Sequence, residues 1–550
     1  MNSPSILIDF LKWENEKPNL VFLRQPVDGH WHEWTFKQAG DEIRKMASGL
    51  LSLNLPTRSN IAILSKNCAH WLIADLAIMM SGHVSVPLYA SISASSIQQI
   101  LEHSGSKAIF VGKLDEYEKQ KEGIPASVKK ICIDFYEIKD GELVSGWNKS
   151  MPPLQKVSDW KEEELMTIMY TSGTTGTPKG VMFNSKAFAH ATEIIIDYLD
   201  RVNPLPPNPL LFSYLPLCHI AERHLTEVLG CRTGASISFV ESLDTFARDL
   251  GSVQPHLFFG VPRIWARFQE KILEKLPQKK LNLYLKIPVV NSILKKVLAK
   301  KLGLSRALIK ASGAAPMPSA LLKWLEELGI ELHEIYGMTE NCALSHGNQE
   351  KIKHGTVGTV MKSVEAKFTD EGEILTRHAS LMMGYYKEPA MTTDAFTSDG
   401  FLKTGDLGSI DKDGFVTITG RVKDLFKTDK GKYVSPTPIE LRLSKNTDIE
   451  QVCVVGMGIP QPIALVVLSA SAKTKSKEQI ILSLSTSLKE VNQSVEDYEA
   501  LKKAVIMKSD WSIANGMMTP TLKVKRSEVE KIHLPKYPTW YGREGVVVWE

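Results

Sequence analysis

The sequence predicts an α/β fold, with a large multi-layer N-terminal domain followed by a small α+β C-terminal domain. Three observations predict it: the chain is too long for one core, strand-like and helix-like runs alternate along it, and its texture changes near Gly405. At 550 residues the chain exceeds the size at which single hydrophobic cores stop growing, so several packed units share it. Hydrophobic residues make up 43% and charged residues 23%, the balance of a folded chain and not of a disordered one.

The strand-like runs are SNIAIL, HVSVPLY, KAIFVG, ASISFV, LIKASG and HEIYG, rich in β-branched residues and bounded by turn formers. Between them lie helical patterns such as WTFKQAGDEIRKMASGLLSL and PSALLKWLEELG. Such alternation argues for layered α/β architecture. The most apolar region, 61–90, is interrupted by Lys66, His70, Asp75 and His83, too often for a membrane span, and reads as buried helix and strand. After Gly405 the stretch SIDKDGFVTITGRVKDLFKTDKGKYVSP carries DG and KG turn signals between short β-branched runs. The small domain is expected to begin at Arg421 to Asp424, giving a large unit of 1–421 and a small one of 422–550.

Charge and cysteine usage narrow the function. A formal net charge of +4, spread along the chain, lacks the clustered basic footprint of a nucleic-acid binder. Six scattered cysteines form no CxxC pair and no zinc spacing, which predicts reduced thiols in a cytoplasmic protein. The opening MNSPSILIDFLKWENEK mixes acids and bases into its apolar stretch and does not read as an export signal. His30 and His32 share a strand face, but no third metal ligand accompanies them. The segment 271–310 interleaves Lys with Leu, Ile and Val at helical spacing. It reads either as a peripheral contact with the inner face of a membrane or, more blandly, as a solvated helix with one face packed on its own domain.

The chemistry is concentrated in YTSGTTGTPKG, which follows the strand-like LMTIM. Glycines admit an anion close to the backbone, the hydroxyls of Thr171, Ser172, Thr174 and Thr175 donate to phosphate oxygens, and Lys179 adds positive charge. This is a polyphosphate clamp but not a Walker A loop, because Gly180 follows Lys179 where that motif needs Ser or Thr. The stretch resembles the signature loop of the adenylate-forming superfamily. Further matches follow in order: LPLCHIAER at 215–223, SGAAPM at 312–317, IYGMTE at 335–340, KTGDLG at 403–408, GRVKD at 420–424 and MTPTLKVKR at 518–526. Seven ordered motifs span nearly the whole chain, and the set is most similar to long-chain fatty acyl-CoA synthetases.

That resemblance implies a large AMP-binding domain, a mobile small domain, and an ATP-dependent acyl-CoA synthetase. A fatty acid, most plausibly long-chain, is joined to AMP with release of pyrophosphate, and the acyl group then passes to coenzyme A. It also implies roles. Thr171, Ser172, Gly173, Thr174, Thr175, Gly176 and Lys179 hold phosphates; Ser312, Gly313, Ala314, Ala315 and Pro316 line the purine; Tyr336 stacks on it, with Gly337 and Met338 alongside. Thr339 bonds the α-phosphate and Glu340 holds Mg²⁺. Asp406 accepts the ribose hydroxyls with Arg421 in support, and Lys523 is the mobile catalytic lysine, with Lys525 its nearest competitor.

Lys423 occupies the hinge position, and Lys427 and Lys432 lie on the segment that swings inward for the coenzyme A step, with an exposed basic turn as the bland alternative. For the acyl pocket the resemblance points to His219, to Trp265 as an aromatic gate whose bland alternative is a packed core tryptophan, and to Gly337, whose missing side chain is expected to leave room for a long chain. Cys218 stands where a small hydroxyl is usual, and Ala314-Ala315 replaces a Gly-containing turn. Two other readings keep the fold: an acyl-AMP ligase serving a separate carrier protein, and an inactive lipid-binding homologue. A luciferase-like oxygenase is a third branch, which no residue calls for. The expected partners are the small-molecule substrates, with no nucleic acid and with a homodimer as the oligomeric state to test.

Overall fold

The computed structural model describes residues 5–171, 178–513, 515–519 and 523–550. Its large part is built on an eight-stranded sheet. The strand order is Gly384–Tyr385, Lys179–Asn184, Leu165–Thr171, Val84–Leu88, Asn60–Leu64, Ala108–Val111, Lys129–Cys132 and Glu142–Leu143. From Leu165–Thr171 outward to Glu142–Leu143 the pairs are parallel; toward Gly384–Tyr385 they are antiparallel. NIAIL and VSVPL are buried at every position, as parallel strands covered on both faces must be. The helix Ala69–Met80 between them is also buried throughout, so region 61–90 is the buried strand, helix and strand that its interrupted hydropathy predicted.

A second sheet positions the site. Leu257–Gly260, Ile309–Gly313 and His333–Tyr336 run parallel, followed by antiparallel His346–Gly347 and Thr359–Val360. Gly313 pairs with Ile335, so the turns that leave the two central strands, starting at Ser312 and Tyr336, emerge side by side. Ligands of open α/β sheets gather at such carboxyl ends. A third sheet joins Leu210–Ser213, Ser236–Phe239, Val21–Val27 and His30–Thr35.

The change of texture near Gly405 falls inside a fourth, antiparallel sheet: Glu365–Phe368, Glu373–Arg377, Leu402–Ile410 and Val416–Arg421. Within it Asp406 lies directly across from Arg421. Beyond Arg421 come a hairpin of Phe426–Lys427 and Tyr433–Val434 and a sheet of Ile449–Val455, Ile463–Leu468, Lys503–Ile506 and Val547–Trp549. The helices Pro436–Leu443, Lys477–Asn492 and Arg526–His533 accompany these strands, and the small part has apolar clusters of its own on the two faces of the sheet. Among the described residues no helix is long and apolar enough to cross a membrane.

Candidate functional site

Asp406 and Arg421 meet because their strands pair in register, and Arg421 Nε lies 2.8 Å from Asp406 Oδ1. The other carboxylate oxygen accepts from the Tyr336 hydroxyl at 2.7 Å. Tyr336, Asp406 and Arg421 therefore form one bonded unit joining the second and fourth sheets. Desolvation pulls Arg421 down, but the charges of Asp406 and Asp424, with Tyr336 and the Asp406 hydrogen bond, together outweigh it and hold the guanidinium above its ordinary value.

Lys523 reaches this unit from the small domain. Its backbone is fixed by a local turn, with Lys523 N–H donating to Thr519 Oγ1 at 3.0 Å and Thr519 N–H donating to the Lys523 carbonyl at 2.8 Å. The side chain is accessible at its surface yet crowded by protein, and desolvation holds the ammonium below its ordinary value. Arg421 depresses it further and Asp406 opposes. The same lysine helps push His219 down to about 4, after burial as the larger cause. His219 is thus neutral at physiological pH, and its Nδ1 accepts the Ala221 N–H at 3.3 Å, which leaves the ring proton on Nε2. Lys523 thus lies near enough to Arg421, Asp406 and His219 for their charges to act on one another.

Glu340 lies on a short 3₁₀ turn, Thr339–Asn341, that leaves strand His333–Tyr336. Its buried carboxylate accepts from the Tyr385 hydroxyl at 2.8 Å, and the Lys179 ammonium sits 5.5 Å above the Tyr385 ring. Among the described residues no group of three or more His, Cys, Asp or Glu could hold a metal. The donors fit Mg²⁺ of the kind that takes one carboxylate and fills its shell with phosphate oxygens and water, with Glu340 as the protein ligand. Tyr385 was invisible to sequence reasoning, since GYYKEP carries no catalytic signal.

Thr171 and Lys179 end paired strands and face each other across the loop they bracket. Ser172, Gly173, Thr174, Thr175 and Gly176 lie outside the described residues. Ser312, expected to line the purine, is fully buried with its hydroxyl unpartnered. A Cβ on Gly313 would stand 2.7 Å from the Ile335 carbonyl, while Ala314 holds a left-handed φ of +66°. The alanine that replaces glycine here carries backbone strain. Pro316 and Ala315 continue the turn before helix Ser319–Glu327. The Met338 N–H donates to Asn341 Oδ1 at 2.8 Å and its carbonyl accepts Ala343 N–H at 2.8 Å, so its backbone groups serve the turn.

Two acyl-pocket expectations need correction. A Cβ at Gly337 would lie 2.1 Å from the Ala343 carbonyl carbon. The glycine is required by that chain crossing, so its missing side chain does not by itself argue for a long substituent. Trp265 is fully buried, donates Nε1–H to the Gly260 carbonyl at 2.9 Å, and packs edge-on to Phe258 and Phe268 at 5.3 and 5.6 Å. These are the surroundings of a core tryptophan and not of an open gate.

Residues of the HIAER segment do different work. Glu222 accepts from Ser213 Oγ at 2.8 Å and from Tyr214 N–H at 3.2 Å, and Asn67 bonds both Ser213 and the Leu215 carbonyl. Together they clamp the loop that presents His219. Burial pushes Glu222 up to about 8. Cys218 in this loop is buried and its thiol is pushed well up by burial. Lys423 lies on the exposed 3₁₀ turn Val422–Asp424, and the ammoniums of Lys427 and Lys432 sit 5.6 and 5.7 Å from the rings of Tyr433 and Tyr498.

Comparison with known proteins gives the same frame. Residues 10–386 match the model of the AMP-binding enzyme family, and residues 423–536 match the AMP-binding enzyme C-terminal domain. The long-chain-fatty-acid–CoA ligase FadD15 of Mycobacterium bovis is 27% identical over 96% of this chain and 96% of its own. The long-chain-fatty-acid–CoA ligase ACSBG2 of Xenopus laevis is 25% identical over 98% of this chain and 83% of its own. Among solved structures, the adenylation domain of a carboxylate reductase from Mycobacterium chelonae superposes with a TM-score of 0.82 at 19% identity, covering 98% of this chain and 92% of that one.

Proposed function

Because the chain belongs to the AMP-binding enzyme family, we propose that it is an ATP-dependent acyl-CoA synthetase acting on long-chain fatty acids. A carboxylate attacks the α-phosphate of ATP, pyrophosphate leaves, and coenzyme A then takes the acyl group as a thioester. The observation that supports this reading is the bonded Tyr336–Asp406–Arg421 unit, with Lys523 and His219 near enough for their charges to act on it and on each other.

Attack of one anion on another needs positive charge where negative charge accumulates. Lys523 supplies it from the small domain, Lys179 from the end of the phosphate loop. Asp406, oriented by Tyr336 and Arg421, holds the ribose so that the α-phosphate meets the acid. Ser312 offers its unpaired hydroxyl to the purine side. Thr339 bonds the α-phosphate beside Glu340, whose carboxylate is held by the Tyr385 hydroxyl. Mg²⁺ bound by Glu340 supplies charge neutralisation on the phosphates. For the second half-reaction the small unit, 422–550, turns on Lys423 against the large unit, 1–421, carrying Lys427 and Lys432 inward. Residues 271–310 add a peripheral contact with the inner face of a membrane in an otherwise cytoplasmic protein, and a homodimer is the assembly to test.

Pyrophosphate release across a panel of acids, followed by thioester formation with free coenzyme A, tests the reading. Release that rises with chain length, with thioester formed, is expected. Release without thioester points instead to a carrier-protein acceptor, and no release with any acid to an inactive homologue.

A further inference from the structure

Between residues 275 and 310 the chain holds ten cations and no acid: Lys275, Lys279, Lys280, Lys286, Lys295, Lys296, Lys300, Lys301, Arg306 and Lys310. Two helices, Gln278–Leu285 and Pro288–Lys301, fill most of this stretch. Their inner side is accounted for: Leu281 is buried, and Leu285, Leu294, Leu298 and Leu302 pack on the aromatic cluster that contains Trp265.

The outer side is not. Leu283, Ile287, Val289, Ile293 and Val297 are 57, 44, 70, 58 and 42% exposed. Val289, Ile293 and Val297 recur every fourth residue, which sets them in one row along the helix. A helix that serves its own domain needs one apolar stripe; this one carries a second, facing water. An exposed apolar row of this kind, with two further exposed aliphatic residues on the neighbouring helix and connection, marks a docking site. Lys279, Lys280, Lys286, Lys296, Lys300 and Lys301 flank it, all exposed, and among the described residues no carboxylate pairs with any of them.

We propose that this outer face docks on an anionic lipid bilayer, with the five aliphatic side chains entering the headgroup boundary and the lysines meeting lipid phosphates. The inference rests on the membrane-contact reading of residues 271–310 and names its lipid class and its contact residues. Charge complementarity selects the occupant. Protein interfaces favour Arg and aromatic residues and are depleted in Lys, whereas nine of the ten cations here are Lys. Long Lys stems lying beside aliphatic residues suit a surface where the head must stay wet while the stem is buried. A helix of 14 residues is too short to span, so the element lies in the interface plane.

Sedimentation of the full chain with vesicles tests this, using phosphatidylcholine alone and phosphatidylcholine mixed with phosphatidylglycerol. Binding to the mixed vesicles only, weakened in about 0.5 M salt, is expected. The pair I293S and V297S and, separately, the pair K296E and K300E should each lower binding by about tenfold or more. Both pairs should leave pyrophosphate release on a soluble medium-chain acid at the parent level. Failure to bind mixed vesicles, or equal binding by the variants, overturns the proposal, as does self-association through this face without vesicle binding. Vesicle binding by a protein that releases no pyrophosphate leaves this surface standing and removes the synthetase reading instead.

Discussion

Lys523 and His224 show how differently a titratable group crowded by protein can be used. Desolvation keeps Lys523 below its ordinary value, and in the function proposed above it is the charge that meets the two anions. Lys523→Ala is expected to slow adenylate formation by about 10²- to 10³-fold, the usual effect of losing one transition-state charge partner. Thioester formation from a supplied acyl-adenylate should stay within about threefold, because that step turns the small domain away. Equal loss in both steps would argue against the assignment. His224 has no such purpose: it is buried against Phe188, both ring nitrogens lack partners, and burial followed by the Arg223 charge pushes it down to about 3. A histidine depressed in the folded state binds its proton more readily when unfolded. Its neutral form therefore supports the fold fully above pH 6.5, and stability falls as pH drops from there toward 3. Since the ring makes no hydrogen bond, His224→Leu should leave stability at pH 7.5 within about 1 kcal/mol. Urea unfolding between pH 7.5 and 4.5 should show a shallower acid decline in the variant. A loss of about 3 kcal/mol already at pH 7.5 would mean the ring has a partner after all.

At the scale of elements, the π-helical turn Arg223–Val228 ties the large domain together. Arg223 is fully buried and bonds Asp75 at 2.5 Å, Glu227 at 3.1 Å and Thr167 at 2.7 Å, linking helix Ala69–Met80 to strand Leu165–Thr171. Burial first, and then the Asp75 charge, hold Glu227 well above the usual carboxylate range. Removing the arginine leaves Asp75 unpaired in the core. Arg223→Leu should cost about 3–5 kcal/mol in chemical denaturation, whereas Glu227→Gln should cost less than about 1 kcal/mol. Comparable losses would mean that both carboxyls are charged.

This network marks where sequence reading stopped. HIAER was visible as a motif, but Asp75, Thr167 and Arg223 are brought together only by sheet order, which periodicity does not encode. The buried run 61–90 was legible because burial on both faces leaves a nearly unbroken apolar stretch. Gly337 was legible as a position but not as a reason, since the backbone of Ala343 that excludes a side chain arrives through two consecutive left-handed residues, Cys342 and Ala343. Trp265 looked like a gate because a motif shows neighbours in sequence and not the Phe258 and Phe268 rings packed around it.

For the whole molecule the question is what holds the small domain in the orientation that delivers Lys523. One ion pair crosses between the two units on the side of helix Pro262–Lys275: Arg263 Nη2 lies 2.6 Å from Glu450 Oε1, on strand Ile449–Val455. Glu270 on the same helix is raised by burial first and then by Glu450, with Arg267 and Arg263 opposing. The pair is about one-third exposed at each end, so its worth is that of a surface bridge, roughly 0.2–1 kcal/mol. That is too little to matter for folding. It would matter for the balance between the two domain orientations proposed above, because an equilibrium shifts by the differential energy of each contact and 1 kcal/mol is about fivefold. Arg263→Glu should slow adenylate formation two- to fivefold at low salt and leave or raise the rate of thioester formation from supplied adenylate. Adding Glu450→Arg should restore the first step, since the pair re-forms with its charges exchanged, and salt at about 0.5 M should erase the difference among all three proteins. Restoration is the decisive outcome: if the double variant stays as slow as Arg263→Glu alone, the contact is not what steadies the adenylating orientation.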